Sequence, residues 1–109
     1  MTDTKIKIIG KDYDVKFVDP YAPEMHKLDL KPGERSLGLT MYFEDAIYIV
    51  NDLSEAETLR VLRHELTHAV IHETQLTEGA EFDEEAVCEL MARFAPLVCE
   101  AADKVMKGE

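Results

Sequence analysis

The hydrophobic periodicity changes near residue 54, and this change constrains the fold more than any other feature of the chain. Before residue 54, apolar residues recur at every second position, as they do in strands that bury one face. After it, they recur at intervals of three and four residues, as they do on one face of a helix. The sequence therefore predicts an α+β domain in which β-strands come first and helices follow.

The first half of the chain predicts about four mostly antiparallel β-strands. Alternating residues on either side of a break at residues 10–12 indicate one hairpin, and residues 37–43 and 47–50 flank a Glu44–Asp45 turn. The proline-rich segment between these pairs, "PYAPEMHKLDLKPGER", predicts an irregular connection. We expect a meander or two hairpins. The run "AIYIV" at residues 46–50 is a candidate edge strand that could pair with an extended peptide.

The second half predicts two helices. Ser54 followed by Glu57 forms a capping-box pattern at the start of the first helix, which continues to residue 75. Gly79 ends this pattern, and a second helix is expected to start near Asp83. Pro96 is expected to kink or interrupt the second helix, because proline lacks the backbone N–H and clashes with the preceding turn.

The composition is that of a folded domain, with 46% hydrophobic and 32% charged residues. Its length predicts a single domain over residues 1–109. The N-terminus lacks the apolar core of a signal peptide, and no apolar run reaches membrane-spanning length, so a cytoplasmic location without membrane contact is expected. The net charge of −11 disfavours nucleic acid as a partner. Cys88 and Cys99 are spaced too far apart on a helix for a disulfide, which predicts two buried free thiols.

The stretch "LRHELTHAVIHE", residues 62–73, carries the pattern H-E-x-x-H. His64 and His68 are four residues apart, so one helix face can direct both imidazoles at a single Zn²⁺ ion. Glu65 lies about 100° around the helix from His64 and borders the open side of such a site. There it can take a proton from a metal-activated water and pass it to a leaving amine. The alternative is a solvated helix face with two histidines and no metal.

Two histidines leave a catalytic zinc ion one protein ligand short. His72 is on the same helix, but three successive turns extend over about 12 Å, too far to converge on one ion. We therefore expect His72 to support the site from outside the ligand shell or to be a plain exposed histidine. Acids near the start of the second helix are the other candidates, although capping and the helix dipole also favour acids there: Asp83, Glu84, Glu85 and Glu89.

A peptidase also needs a hydrogen-bond donor for the negative oxygen that develops during peptide hydrolysis. Tyr42, Tyr48 and His72 are the candidate donors, and Tyr48 belongs to the strand just before the motif helix. A tyrosine in a strand is also commonly a packing residue.

The segments "TLRVLRHELTHAVIHE" and "FDEEAVCELMARFA" resemble the small HExxH metallopeptidases of the gluzincin type, in particular the ImmA/IrrE-like group of bacterial genomes and mobile elements. The resemblance covers residues 37–95. It implies a zincin-like fold, Zn²⁺ as cofactor, and His64, His68 and Glu85 as ligands, because Glu85 precedes Ala86 as in the family pattern. Glu65 matches the general base. The chain departs from the family at residues 88–90, so Glu84 and Glu89 remain alternative third ligands.

The leading functional prediction is a zinc-dependent peptidase that hydrolyses a peptide or protein substrate with metal-activated water and a glutamate base. The alternative is a non-catalytic, zinc-binding regulatory or protein-interaction module in which the metal stabilises the fold. A third possibility is a latent enzyme whose pocket is covered by the C-terminal segment "EAADKVMKGE".

Overall fold

The computed structural model describes residues 2–26, 36–74 and 84–108, and for residues 26, 84–86, 88, 89 and 92 it describes the backbone only. The described part contains four strands, a short 3-10 helix over Pro23–His26, and two α-helices: β1 (Thr4–Ile8), β2 (Lys11–Val18), β3 (Gly38–Met41), β4 (Ala46–Val50), α1 (Glu55–Thr74) and α2 (Glu84–Lys107). The predicted α+β class, with strands before helices, is confirmed.

The sheet consists of two hairpins placed side by side in the order β1-β2-β4-β3. Strands pair antiparallel within each hairpin, and β2 pairs parallel to β4. Two hairpins were one of the predicted arrangements; the meander is wrong. The first hairpin turns at Ile9 and Gly10, which have φ values of 50° and 82°, as a tight two-residue turn requires.

Strand β4 lies inside the sheet, between β2 and β3, so the prediction that "AIYIV" is an edge strand is wrong. All five of its residues are buried, because both of its faces are apolar and both are covered. The edge next to β4 is β3, which ends at Met41. Phe43, predicted to continue that strand, instead lies in the 42–45 turn and is fully exposed.

The two faces of the sheet pack against different parts of the chain. Ile47 and Ile49 of β4 belong to the main core, which the two helices cover. Tyr48 and Val50 point to the opposite face and join a smaller cluster with Met25 of the 3-10 helix. Only the first of these faces borders the H-E-x-x-H motif.

Helix α1 begins where the capping pattern predicts. The backbone N–H of Glu57 donates to the Ser54 side-chain oxygen at 3.2 Å. The Glu57 carboxylate pairs with Arg60 at 2.9 Å. The helix buries one face against the sheet through Val61, Leu62, Leu66, Ala69 and Val70.

Helix α2 continues through Pro96 without a break, so of the two predicted effects, a kink or an interruption, the interruption is wrong; Pro96 is exposed. Its C-terminal half contributes Val98, Ala101, Ala102 and Val105 to the main core. Three residues of the segment predicted as a possible pocket cover, Ala101, Ala102 and Val105, are therefore buried in the main core.

The thiol of Cys99 is free and half-buried, whereas the side chain of Cys88 lies outside the described residues. Within the described ranges, neither helix combines the length and the apolar character needed to cross a bilayer.

Candidate metal and proton-transfer site

The imidazoles of His64 and His68 converge on one point at the exposed side of α1. Their Nε2 atoms are 3.3 Å apart, and the two rings are inclined at 73°. A tetrahedral zinc ion with nitrogen ligands at about 2.0–2.1 Å holds two such nitrogens about 3.3–3.4 Å apart. The pair therefore fits a zinc ion as it stands. The same separation also suits a hydrogen bond between a protonated and an unprotonated ring nitrogen.

The third ligand predicted from the resemblance, Glu85, has its side chain outside the described residues, as do the alternatives Glu84 and Glu89. Their backbone forms the first turns of α2, a helix that packs against α1. Asp83 lies outside the described residues altogether. Among the side chains that the structure does describe, no group of three His, Cys, Asp or Glu is arranged to hold a metal ion.

Glu65 is buried beneath the histidine pair, with 7% of its surface exposed. The hydroxyl of Thr40 donates to Glu65 Oε1 at 2.8 Å and also lies 3.2 Å from the backbone carbonyl oxygen of Glu65. The other carboxylate oxygen, Oε2, is 4.0 Å from His64 Nε2. One oxygen is thus anchored by β3, and the other lies 4.0 Å from the nearer of the two imidazoles.

Strand β3 lies directly against α1 at Gly38. A Cβ atom at this position would lie 2.7 Å from Val61 Cγ1 and 2.9 Å from Glu65 Cγ. Glycine therefore allows the strand to pass directly over the predicted base. Sequence reasoning did not identify Gly38 or Thr40 as site residues. The signal for Gly38 was a lone glycine inside a strand pattern, which often marks a close backbone approach.

Tyr42, directly after β3, and His72, near the end of α1, form a stacked pair with ring centroids 4.1 Å apart and an interplanar angle of 16°. Tyr42 lines the same pocket of about 320 Å³ as His64, Glu65 and His68. Burial, together with the negative charge of Glu65, raises the pKa of Tyr42. Its hydroxyl therefore stays protonated at neutral pH and is available as a hydrogen-bond donor.

Tyr48, the third predicted donor, is placed away from this pocket. Its side chain belongs to the cluster on the opposite face of the sheet. Its hydroxyl donates to Glu44 Oε2 at 2.6 Å, and this hydrogen bond, with burial, raises the pKa of Tyr48 to about 12. The structure thus brings Tyr42 and His72 to the motif, but not Tyr48.

Comparisons of the chain with protein-family models, with curated proteins and with solved structures find no match. The resemblance to the ImmA/IrrE-like metallopeptidases stays a prediction from the motif residues. The site consists of two converging imidazoles, a buried carboxylate with one anchored oxygen, and a stacked tyrosine.

Proposed function

We propose that this chain is a zinc-dependent peptidase of the HExxH class with a zincin-like fold, similar to the ImmA/IrrE-like group. The observation that carries the proposal is the convergence of His64 and His68 at 3.3 Å, with the Glu65 carboxylate 4.0 Å from His64. These two histidines would hold the zinc ion. Glu85 is the third ligand that the resemblance implies, with Glu84 and Glu89 as alternatives.

A bound zinc ion would polarise the scissile carbonyl and lower the pKa of the attacking water. Glu65 would accept the proton of that water at Oε2 and deliver it to the leaving nitrogen. The hydrogen bond from Thr40 holds Oε1, so the carboxylate keeps Oε2 directed towards the histidines throughout. Burial of Glu65 excludes bulk water from the anchored side of the carboxylate.

Tyr42 would donate its hydroxyl proton in a hydrogen bond to the carbonyl oxygen as negative charge develops there. Stacking on His72 restricts the orientation of the tyrosine ring. His72 therefore positions the donor and takes no direct part in the reaction.

The substrate would be an extended peptide or an exposed protein segment. Within the described residues, β3 pairs with β4 on one side only, so its other side offers backbone groups beside the motif. A peptide can add to such an edge as a further strand. Strand β3 takes the role that the sequence had suggested for β4.

Cleavage of a broad library of quenched fluorescent peptides tests the proposal. The zinc-loaded wild type should cleave, a chelator should abolish cleavage, and added zinc should restore it. Glu65→Gln should lower kcat by about 10²–10⁴-fold and leave bound zinc and fold unchanged, since a general base contributes on this scale. Glu55→Gln, an equivalent change at an exposed position on the same helix, is the control and should cleave like the wild type.

Full activity in Glu65→Gln would remove the basis of the mechanism. A zinc-loaded wild type that cleaves no peptide in the library would instead favour the non-catalytic zinc-binding module.

A further inference from the structure

A groove of about 330 Å³ runs between α1 and α2 on the side of His64 away from β3. Its floor is formed by Val70, Leu90 and Val98, which are buried. Met91 stands at its wall with 57% of its surface exposed. A volume of this size is at the lower end of the range for small-ligand pockets. A methionine side chain is flexible and polarizable, so it can pack against apolar groups of different shapes.

The α1 side of the groove carries positive charge. Arg60 and Arg63 line it together with His64, and no acidic side chain among the described residues lines it. Arg60 is paired with Glu57 at 2.9 Å. Arg63 is exposed, and within the described part of the chain no carboxylate lies within ion-pairing distance of it. Among the described residues, this lining therefore offers a cationic side chain to a negatively charged ligand group.

The groove shares His64 with the candidate metal site, so a peptide held at that site has a neighbouring residue within reach of the groove. An apolar side chain that enters the groove leaves water and contacts the buried floor. A carboxylate on the same or the next residue then meets the Arg63 guanidinium, which binds carboxylates through paired hydrogen bonds.

We propose that this groove is a substrate subsite that selects an apolar residue accompanied by a carboxylate. The carboxylate is either the free C-terminus of the peptide or the side chain of an adjacent Asp or Glu. Peptide binding in the groove does not require catalysis. The role of the groove in substrate selection rests on the proposed peptidase function.

Equilibrium binding tests the subsite without turnover. The full chain carrying Glu65→Gln, with and without zinc, is titrated against fluorescein-labelled Gly-Ser-Gly-Ala-Leu, and fluorescence anisotropy is recorded. Three related peptides are compared with it: the C-terminal amide, the free acid with Ala in place of Leu, and an amidated peptide ending in Leu-Asp.

The free acid ending in Leu (the Leu acid) should bind about tenfold more tightly than its C-terminal amide (the Leu amide) or the free acid ending in Ala (the Ala acid). This difference is expected for one charged pair and a few buried methylene groups. Adding Arg63→Gln should abolish the difference between acid and amide and keep that between Leu and Ala. Adding Met91→Ala should reduce the difference between Leu and Ala only. Adding Lys104→Gln removes a positive charge that lines a different surface pocket, and it should change neither difference.

Tight binding of the Leu-Asp amide would assign the carboxylate to a side chain, and tight binding of the Leu acid alone would assign it to the C-terminus; both support the subsite. Equal binding of all four peptides, no binding at millimolar peptide, or an unchanged acid preference in Arg63→Gln would overturn it. Selective binding without cleavage by the wild type would refute the peptidase and leave the subsite standing. Cleavage without selectivity would refute the subsite alone.

Discussion

Replacing Gly38 with alanine would place a methyl group where β3 lies directly against α1. The new Cβ would lie 2.7 Å from Val61 Cγ1, 2.9 Å from Glu65 Cγ and 3.2 Å from Glu65 Oε2. Neither neighbour can yield easily, because Val61 is 4% exposed and backed by the core, and Glu65 is tied to Thr40. The strand and the helix must therefore separate, or Glu65 must move.

The expected loss of stability is about 1–2 kcal/mol. Overpacking of a buried site costs about 1–3 kcal/mol, and alanine recovers about 0.4–1 kcal/mol by restricting the unfolded chain where the native backbone suits it. The expected loss of kcat is about 10- to 100-fold, because a displacement of roughly 1 Å at a catalytic group can cost that much.

Gly10→Ala separates the two effects. Gly10 has a φ of 82° and nothing within 4 Å of a Cβ atom, so alanine there costs about 1–2 kcal/mol of backbone strain and touches no site residue. Denaturant unfolding followed by circular dichroism should show both variants destabilised, and peptide cleavage should fall only in Gly38→Ala. A Gly38→Ala chain with wild-type stability and kcat, or an equal loss of kcat in Gly10→Ala, would show that the close packing at Gly38 does not position Glu65.

Substitutions at three further positions probe the site and the sheet. Thr40→Val removes the donor to Glu65 Oε1, and it should lower the free energy of unfolding by about 1–2 kcal/mol and kcat about tenfold. Thr40→Ser keeps the hydroxyl and should behave like the wild type. Equal kcat in the valine and serine variants would contradict the anchoring role. Tyr42→Phe should lower kcat about tenfold or more with little change in KM, since the hydroxyl acts on the developing charge; a change in KM alone would point to substrate binding instead. The pKa of Tyr48 is raised from 10.0 to about 12, so the folded state holds this proton more tightly than the unfolded chain does. The contribution of Tyr48 to the free energy of unfolding is therefore fully present below pH 10 and is lost between pH 10 and 12. Tyr48→Phe should flatten the fall in unfolding free energy over that window, and an unchanged slope would show that the hydrogen bond to Glu44 does not govern it.

The elements that local signals specify could be predicted from the sequence. The start of α1 follows from Ser54, whose side chain accepts the N–H of Glu57 as the capping pattern predicts. The two hairpins follow from alternation interrupted by short turns. The parallel pairing of β2 with β4 could not be predicted in the same way, because it joins strands separated by an irregular connection that carries no pairing signal.

The composition of the run "AIYIV" indicates a central strand and not an edge strand. Five consecutive apolar residues, without alternation, are typical of a strand covered on both faces, and β4 is such a strand. The prediction of an edge strand gave more weight to its proximity to the motif than to its composition.

Whether Tyr42 or Tyr48 lies near the motif depends on how strands β3 and β4 are aligned, and the sequence does not specify this register. Leu39 pairs with Tyr48 and Thr40 with Ile47, so Tyr48 faces away from α1 and Thr40 faces Glu65. A shift of one residue would exchange these faces. By contrast, the proximity of His64 and His68 follows from the helical period alone.

The zinc content of the purified chain would show whether His64 and His68 bind a metal ion. The wild type, purified without chelators, supplemented with zinc and dialysed, should hold one zinc ion per chain by inductively coupled plasma mass spectrometry. His64→Ala and His68→Ala should each lose the ion, because each removes one of the two nitrogens that converge at 3.3 Å, while His72→Ala should keep it. A wild type that holds no zinc, or folded His64→Ala and His68→Ala chains that both retain it, would rule out a zinc site formed by these two histidines.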